Sequence, residues 1–565
     1  MLKIKKSLAL GVVGVLLVGS ILSGCGTANT TTPGATTPVA TTTGTDKPKT
    51  GGTFTNWTPT DPKSLDPALA GDTVTYDMTM TMFDGLLNWD KSQKNLIADL
   101  ATDMPTVSTD GLTYTFKLRQ GVNFSNGDPL TADDVVYSFN RLAAPATKSS
   151  GASYFFMIQG FQDVNSGKAT TLSGVVKKDD STVEFHLIAP NRAFLDVVAM
   201  PYAFIVDKKT TSALANQADF SKNPIGTGPY KFVEWKQGQD VKVVKNDKYF
   251  MKDSDGSQLP YLDSIVWNLG YPNTTALLKY KNNEQDYSTI PAPDFVNTIN
   301  DPTIGKEVVS GTQNDVWYLF ANNVMKPFDK LQVRQALEYA IDKTAILKLI
   351  NNRGQAAAEM LPPGIPGYKE NPSGYTYDQA KAKQLLSDAG YPNGLPDTYT
   401  LTYNTTPTGD TMMANIQEQL AAVGIKIKLQ GVPFAQYLDI VQNGKEQLAY
   451  GGWLQDYPDP DDFLNILFNS AGIPAQNNWG YNNPASDKIW NDAIKNPDLS
   501  KELTNYQTSE KQIMDAAAIV PIYHSKTFML VKPWVHNAPV LTVFPYFDYR
   551  YLWVDSAAKT AAGGK

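Results

Sequence analysis

Tyr399-Thr-Leu-Thr-Tyr403, the run Thr411–Ala422 and Ile425-Lys-Ile-Lys-Leu429 together decide the fold of this chain. The first and last runs alternate apolar and polar residues, which predicts half-buried strands, and the middle run predicts a helix. A strand, a helix and a strand of these lengths are typical of a βαβ unit with parallel strands and a right-handed crossover. We therefore expect an α/β body whose open sheet places a ligand at a topological switch point.

Helix signals occur on both sides of this unit. Thr131 and Asp378 are predicted helix N-caps, and the helix after Asp378 is expected to stop at Gly390. Apolar residues at helical spacing predict one long amphipathic helix over Asp329–Ile350.

Strand signals alternate with these helices, and no internal repeat of 20–50 residues interrupts the pattern. The last two predicted strands are expected to pair with each other. The predicted strands are Gly51–Trp57, Leu112–Leu118, Thr182–Ile188, Gly228–Trp235 and Asp240–Val244.

The first 50 residues differ in composition from the rest. Lys3, Lys5 and Lys6 precede the uncharged run Ser7–Ser23, which is typical of a secretory signal peptide. Residues 26–50 are rich in Thr, Pro, Gly and Ala, and they predict a disordered tether because they hold too little apolar surface to offset ordering. The folded body then begins near Gly51, spans about 510 residues and has room for about three domains.

Charge and motifs exclude several classes of function. Without the three leader lysines, 46 basic residues face 56 acidic ones, a net charge of −10 that argues against a nucleic-acid partner. Arginines are few. The histidines are three and far apart, so we expect no metal site, and no nucleophile elbow or phosphate-binding loop indicates an enzyme or a cofactor. The arginines and histidines are Arg119, Arg141, Arg192, Arg334, Arg353, Arg550, His186, His524 and His536.

The stretch Tyr450-Gly-Gly-Trp-Leu-Gln-Asp-Tyr-Pro-Asp-Pro-Asp-Asp-Phe463 carries the main candidate site. Its glycines would let the backbone approach another molecule, its Trp453 offers an apolar face with one donor, and Asp456 is a natural partner for a cationic group. An acidic surface turn beside a core tryptophan is the simpler alternative. The spacing of the four acids does not match a calcium-binding EF-hand loop.

Several motifs, in order along the chain, resemble one family. The chain is similar to the family 5 extracellular solute-binding lipoproteins of ABC importers, the oligopeptide, dipeptide and nickel-binding class. The similarity covers about Gly51 to Trp553. The motifs that carry it are Ser64–Pro67, Phe83–Leu87, Asp110–Val136, Asn223–Tyr230, Phe328–Asp342, Leu361–Gly364, Tyr450–Phe463 and Val520–Ile522.

The resemblance implies a two-lobed, hinged α/β fold of the periplasmic-binding-protein type, in its class II or cluster C form with an extra inserted domain. Lobe I would comprise 51–81, 203–308 and 528–560, the inserted domain II would be 82–202, and lobe III would be 309–527. Leu22-Ser-Gly-Cys25 resembles a bacterial lipobox, which implies a signal peptide over 1–24, lipidation of Cys25 and a lipid-anchored tether over 25–50. A lone cysteine in an exported chain also needs an explanation other than a disulfide.

The resemblance also implies ligand contacts. Asp456 matches the acid that holds a peptide α-amino group in relatives, while Gly452, Trp453 and Leu454 match a strand that pairs with the ligand backbone. From the opposite lobe, the segment Gly71-Asp72-Thr73 matches a second backbone-pairing element.

Two departures from the family pattern concern the ligand carboxylate. Tyr450 stands where oligopeptide binders carry an arginine, and Asn404–Asp410 lacks the arginine of dipeptide binders. Arg353 is a possible substitute, although a cation at a helix C-terminus is the simpler interpretation. Trp453 and Trp479 would stack on sugars if the ligand were an oligosaccharide, although core packing is the default interpretation of each.

Together these features predict a monomeric receptor, lipid-anchored on the outer face of the cell membrane. It would capture a peptide and deliver it to the transmembrane and ATPase subunits of an ABC permease, without a cofactor and without catalysis. An oligosaccharide or another small solute is the alternative ligand, and a secreted hydrolase is the alternative class of protein.

Overall fold

The computed structural model describes residues 47–91, 95–369, 374–538 and 547–564. The predicted signal peptide (1–24) and Cys25 lie outside the described residues, as does the predicted tether up to residue 46. Within the described ranges, no helix combines the length and the apolar character that crossing a bilayer requires.

Helices and strands alternate along the described chain, in agreement with the predicted α/β class. In chain order, the strands are β1 (Thr53–Thr58), β2 (Leu87–Trp89), β3 (Leu96–Ala98), β4 (Thr106–Val107), β5 (Thr113–Lys117), β6 (Val175–Asp179), β7 (Thr182–His186), β8 (Tyr230–Lys236), β9 (Asp240–Lys245), β10 (Ser264–Leu269), β11 (Tyr287–Thr289), β12 (Val308–Thr312), β13 (Asp315–Ala321), β14 (Gly354–Ala356), β15 (Thr398–Asn404), β16 (Lys426–Val432), β17 (Leu448–Leu454), β18 (Val520–Val531), β19 (Val535–His536) and β20 (Trp553–Val554).

The α-helices of the described residues lie mainly between these strands. They are α1 (Thr73–Met82), α2 (Ala132–Ala143), α3 (Phe161–Asn165), α4 (Phe194–Val198), α5 (Lys208–Ser212), α6 (Asn273–Lys281), α7 (Phe295–Ile299), α8 (Leu331–Ala340), α9 (Lys343–Leu349), α10 (Gln379–Asp388), α11 (Pro407–Ala422), α12 (Phe434–Gln442), α13 (Pro460–Phe468), α14 (Pro484–Ala493), α15 (Leu503–Asp515) and α16 (Ser556–Ala561).

The predicted βαβ unit is confirmed as β15, α11 and β16. The two strands are parallel, in register from Thr398 opposite Lys426 to Asn404 opposite Val432. Thr406 caps α11, since its hydroxyl accepts a hydrogen bond from the Gly409 N–H at 3.0 Å. This cap fixes where the chain leaves the first strand and enters the crossover helix.

Three larger sheets organise the described chain. Sheet A has the strand order β1-β10-β9-β8, and its β8–β9 hairpin confirms the predicted pairing. Sheet B has the order β11-β18-β13-β17-β15-β16, with β12 and β14 also pairing with β18. Sheet C, with the order β4-β5-β7-β6, lies within the segment predicted to be an inserted domain.

Strand β18 is the long connection within sheet B. Its first half pairs with β13 and β14, whereas its second half, from Lys526 onward, pairs with β12 and β11. Two sets of strands that are distant in sequence are therefore hydrogen-bonded to one continuous strand.

The single long helix predicted over Asp329–Ile350 is wrong, because α8 and α9 are separate helices. Ile341 leaves the helical conformation at φ −96° and ψ 113°, and the Asp342 carboxylate caps α9 by accepting from the Ala345 N–H at 3.0 Å. Both helices bury apolar side chains in the same core of sheet B, among them Leu337 and Ile346. The apolar periodicity therefore continues across the break and hides it from the sequence pattern.

Candidate ligand-binding site

A cavity of about 190 Å³ lies between the turn that precedes α1, the segment that follows β17, and residues 547–550 near the C-terminus. Cavities lined by apolar surface and a few polar groups are the usual form of ligand sites. The described lining residues are Ala70, Gly71, Asp72, Thr73, Tyr76, Met80, Asp84, Asn88, Trp89, Asp90, Met200, Tyr202, Leu454, Gln455, Asp456, Phe547, Asp548, Tyr549 and Arg550.

The cavity brings together two predicted segments that are almost 400 residues apart. Gly71, Asp72 and Thr73 line one side, and Leu454 and Asp456 line the other.

The position of the first segment is fixed by a helix cap. The Asp72 carboxylate accepts hydrogen bonds from the Thr75 N–H at 3.0 Å and from the Thr75 hydroxyl at 2.8 Å. Gly71 lies close to Ser150, since an added Cβ would be 2.4 Å from the Ser150 hydroxyl and would require that side chain to move. The backbone before α1 is thus held at the cavity wall.

The second segment is the end of β17, which has one open edge in the described chain. β17 pairs with β13 along its whole length, from Leu448 to Leu454. On the other side, β15 pairs only with Leu448–Tyr450. The backbone of Gly451–Leu454 therefore has no strand on that side among the described residues, which is the arrangement that β-augmentation requires.

The two glycines of this segment are explained by aromatic neighbours inside the protein. An added Cβ at Gly452 would lie 2.8 Å from the ring of Trp317, and one at Gly451 would lie 2.3 Å from the Tyr437 hydroxyl. Neither distance leaves room for a methyl group. The sequence interpretation assigned these glycines to approach by another molecule, and the structure gives them a packing role.

Asp456 is the central polar group of the cavity. Its Oδ2 accepts a hydrogen bond from the hydroxyl of Tyr154, and its backbone N–H donates to Oδ2 of the buried Asp462 at 2.9 Å. Burial raises the pKa of Asp456 to about 6, and the hydrogen bond from Tyr154 partly opposes this shift. At neutral pH the carboxylate is mostly ionised in a partly dry place, which suits a cationic partner.

Asp456 and α1 interact electrostatically across the cavity. Burial raises the pKa of the Tyr76 phenol, and the nearby charge of Asp456 raises it further. The pKa of Tyr202 is raised by burial, and both Asp456 and Asp72 add to that shift. The carboxylates on the two sides of the cavity thus act on the same tyrosines.

A buried ion pair lies beside this site. Arg192 donates to both oxygens of Asp459, from Nε and from Nη2, each at 2.9 Å. The guanidinium also donates to the carbonyls of Ala493 and Asn496, and the Arg192 backbone N–H donates to the Ile494 carbonyl at 2.8 Å. Asp459 additionally caps α13. The segment after sheet C is thereby joined to helices that pack against sheet B.

The remaining predicted residues lie away from the cavity lining. Tyr450 is buried, stacks on Trp317 and shares a hydrogen bond of 3.2 Å with the Tyr523 hydroxyl. Trp453 is partly buried and donates to Asp462 at 3.3 Å.

Arg353 and Trp479 contact other groups of the protein and do not line the cavity. Arg353 follows α9, donates from Nε to the Ile350 carbonyl at 3.2 Å and lies over the Phe295 ring. Trp479 is 1% exposed and packs against Phe320 and Phe468 in a second apolar core of sheet B, separate from the one that holds Leu337 and Ile346. The geometry therefore agrees with the helix-end interpretation of Arg353 and with the core interpretation of Trp479.

Several residues that line the cavity, and one that contacts its lining, were not singled out from the sequence as ligand contacts. Tyr154 and Asp456 are 302 residues apart in sequence, and no local sequence pattern predicts their contact. Arg550 was noticed only because arginines are few. Five aromatic residues of the lining were also missed, and they are Tyr76, Trp89, Tyr202, Phe547 and Tyr549.

The fold and the cavity define the class of a binding protein, and comparisons with known proteins agree. The family model described as "Bacterial extracellular solute-binding proteins, family 5 Middle" matches residues 95–475. The chain belongs to this family of solute-binding proteins and has its two-lobed α/β fold.

Individual relatives cover most of the chain. The dipeptide-binding protein of Escherichia coli K12 is 32% identical over 83% of this chain and 89% of its own length. The glutathione-binding protein GsiB of Pectobacterium atrosepticum is 32% identical over 80% of this chain and 84% of its own length. The structure of DppA from Helicobacter pylori in complex with the peptide STSA superposes with a TM-score of 0.75 at 27% identity, covering 90% of this chain and 99% of that one.

Proposed function

We propose that this protein captures peptides in the cavity between its lobes, with Asp456 holding the ligand α-amino group. The observation that carries the proposal is the position of the Asp456 carboxylate, which lines the cavity opposite Gly71–Thr73. The hydrogen bond from Tyr154 reaches Oδ2, so Oδ1 is available to a ligand ammonium group. An ammonium group in such a place gains a charge-assisted hydrogen bond that water competes for poorly.

The backbone of the peptide would add to the open edge of β17. Residues Gly451–Leu454 have no strand on that side in the described chain, and main-chain hydrogen bonds made there would be independent of ligand sequence. The relatives named above as dipeptide-binding, glutathione-binding and peptide-bound proteins support a peptide as the ligand class.

Contacts from both sides of the cavity would couple binding to closure of the lobes. A ligand shifts the open and closed populations only by its difference in affinity for them, so it must contact both sides. Asp456 on one side and Gly71–Thr73 on the other would meet this requirement.

Native mass spectrometry of the protein, purified without denaturant, tests the proposal directly. We expect masses of bound peptides that are released when the protein is unfolded. A single sugar mass would support the oligosaccharide alternative instead. Turnover of peptides or glycans by the purified protein would support a hydrolase, whereas stoichiometric binding without turnover would exclude one for those substrates.

We further propose that Cys25 is lipidated and that the chain, as a monomer on the outer face of the membrane, delivers its ligand to an ABC permease. The lipobox-like Leu22–Cys25 supports the anchor. Replacing Cys25 with serine should release the protein from membranes into the medium. Peptide-loaded protein should stimulate the ATPase of its reconstituted permease, and no stimulation by any loaded form would count against delivery.

A further inference from the structure

We propose that a second cavity, near the β16 edge of sheet B, binds a small molecule with one ammonium group and one carboxylate, such as a free amino acid. This cavity of about 280 Å³ lies between β15, β16, the C-terminal part of α12 and the segment that leads into β17. It shares no described lining residue with the cavity that contains Asp456, so the inference is independent of peptide binding there. Its polar lining residues are Thr400, Thr402, Gln430, Lys445, Glu446 and Gln447.

Glu446 is the lining residue that points to a ligand. It is 1% exposed, and Asn322 donates to its Oε1 at 3.1 Å, whereas its Oε2 is buried without a hydrogen-bond partner in the described chain. Burial raises the pKa of Glu446 to about 7, and hydrogen bonds from its own backbone N–H and from Asn322 oppose that shift. No basic side chain of the described residues lowers this pKa. An unpartnered buried carboxyl group costs stability, so its position beside a cavity favours a role in binding.

Two amide side chains of the lining have donors left for a ligand. The Gln447 amide oxygen accepts from the Thr400 N–H at 2.8 Å, and the Gln430 amide oxygen accepts from the Thr402 hydroxyl at 3.3 Å. Both contacts engage the carbonyl oxygen of the amide, which leaves the NH₂ group as the part that can bind an acceptor. A ligand oxygen would therefore find two amide donors in this cavity.

Lys445 supplies the one basic side chain of the described lining. Its ammonium group lies 3.4 Å from a carboxylate oxygen of Asp439, but the two side chains are 60% and 66% exposed. Ion pairs that are so well solvated contribute little to stability. The Lys445 ammonium group can therefore leave Asp439 for a ligand carboxylate at small cost.

The charges of the cavity match those of a free amino acid. Glu446 offers a carboxylate oxygen to an ammonium group, and Lys445 offers an ammonium group to a carboxylate. These two residues are consecutive, with Cα atoms about 3.8 Å apart, and both line the cavity, so they suit charges that are only a few bonds apart. The cavity volume is several times that of a water molecule, about 30 Å³ in the liquid, so it has room for a larger ligand.

Saturation-transfer NMR of the whole protein tests the proposal, with a mixture of the common amino acids at about 5 mM each, enough to detect a Kd near 1 mM. We expect signals from at least one amino acid, and we expect them to persist in Asp456→Asn, which impairs the first cavity. No signal from any amino acid would overturn the proposal. Signals that vanish in Asp456→Asn would place the binding in the first cavity and would overturn it as well.

Derivatives of the bound amino acid test the two charges separately. The N-acetyl form lacks the ammonium group and the methyl ester lacks the carboxylate, so each should bind at least tenfold more weakly than the free amino acid. Equal binding of either derivative would contradict the proposed pair of charged contacts.

Variants of the lining locate the binding site. Glu446→Gln keeps the shape of the side chain and removes its charge, so we expect the Kd of the bound amino acid to rise at least tenfold. The matched control is Glu418→Gln, which changes an exposed residue of α11 outside the cavity and should leave the Kd unchanged.

Lys445→Gln provides the test if Glu446→Gln does not fold, because the exposed side chain of Lys445 contributes little to stability. We expect at least a threefold increase in Kd. Lys426→Gln is its control, since Lys426 is an exposed residue of β16 that does not line the cavity. An unchanged Kd in Lys445→Gln, or in a folded Glu446→Gln, would overturn the proposal.

Discussion

Tyr154 donates its hydroxyl hydrogen bond to Oδ2 of Asp456, a residue 302 positions later in the chain. This contact joins the segment predicted as the inserted domain to the segment that follows β17. It orients the carboxylate, and because it stabilises the ionised form, it also lowers the pKa that burial raises. The orientation and the pKa of Asp456 therefore depend on a residue that is remote in sequence.

Replacing Asp456 with asparagine should greatly weaken peptide binding. The side chain keeps its shape but loses the charge that would hold an ammonium group, and lost charge-assisted hydrogen bonds cost about 2–3 kcal/mol, or roughly a 30–150-fold increase in Kd. Calorimetry with one peptide ligand measures this change. Asp103→Asn is the control for a loss of net charge, and an unchanged Kd for Asp456→Asn would contradict the anchor role.

Peptide affinity should fall as the pH drops below about 6. Protonated Asp456 cannot pair with an ammonium group, so Kd should rise by about tenfold for each pH unit below its pKa of about 6. Tyr154→Phe removes the hydrogen bond that lowers this pKa, so the midpoint should shift to higher pH. Binding curves from pH 4.5 to 8 measure both effects. A pH-independent Kd in the wild-type protein would contradict this prediction.

The unliganded protein should be stabilised by Asp456→Asn at neutral pH. The pKa of Asp456 is about 6 in the folded protein and 3.8 in the unfolded chain. Such a carboxyl contributes stability that is fully present below pH 3.8 and is lost as the pH rises through about 6. Asparagine avoids this loss, which is at most about 3 kcal/mol at 1.4 kcal/mol per pKa unit. Urea unfolding of both proteins measures the difference. It should be largest above pH 7 and should disappear near pH 4, and a difference that grows toward low pH would contradict the sign.

Breaking the Arg192–Asp459 pair should be costly. Asp459→Asn keeps the cap of α13 but leaves a buried guanidinium without its anion, and such losses typically cost about 3–5 kcal/mol. Urea unfolding should therefore move to markedly lower denaturant concentration. The exposed pair of Lys511 and Asp515, at 2.6 Å, is a matched control, and Lys511→Gln should change stability little. Equal effects of the two substitutions would mean that the buried pair has no special role.

Gly452→Ala should destabilise the end of β17. The new methyl group would lie 2.8 Å from the Trp317 ring, and overpacking of this kind costs about 1–3 kcal/mol. Thermal unfolding measures the effect. Gly472→Ala is the control, because its added Cβ would meet no atom nearer than 3.4 Å. If the Gly452 variant were as stable as wild type, packing against Trp317 would not explain this glycine.

Local patterns predicted the βαβ unit well, because β15, α11 and β16 each bury one face and are separated by turn residues. The break at Ile341–Asp342 escaped prediction, since both helices pack on one core and only the capping bond of Asp342 separates them. Similarly, Asp456 could be proposed from its own motif, whereas its partner Tyr154 could not. Pairs that meet only through tertiary packing leave no periodic signal in the chain.

The first described strand and the last described helix meet in the folded protein. Lys559 in α16 donates to Oδ2 of Asp286 at 2.8 Å and to the Thr53 carbonyl of β1 at 3.0 Å, so three segments that are far apart in sequence meet at one ammonium group. β18 likewise joins strands that were synthesised more than 200 residues earlier. Native sheet B therefore cannot be completed on the ribosome until β18, which ends at Val531, has been made. Before β18 is made, the edges of β11, β12 and β13 that pair with it are unpaired. Because unpaired strand edges promote aggregation, we expect chaperones to bind the nascent chain at this stage.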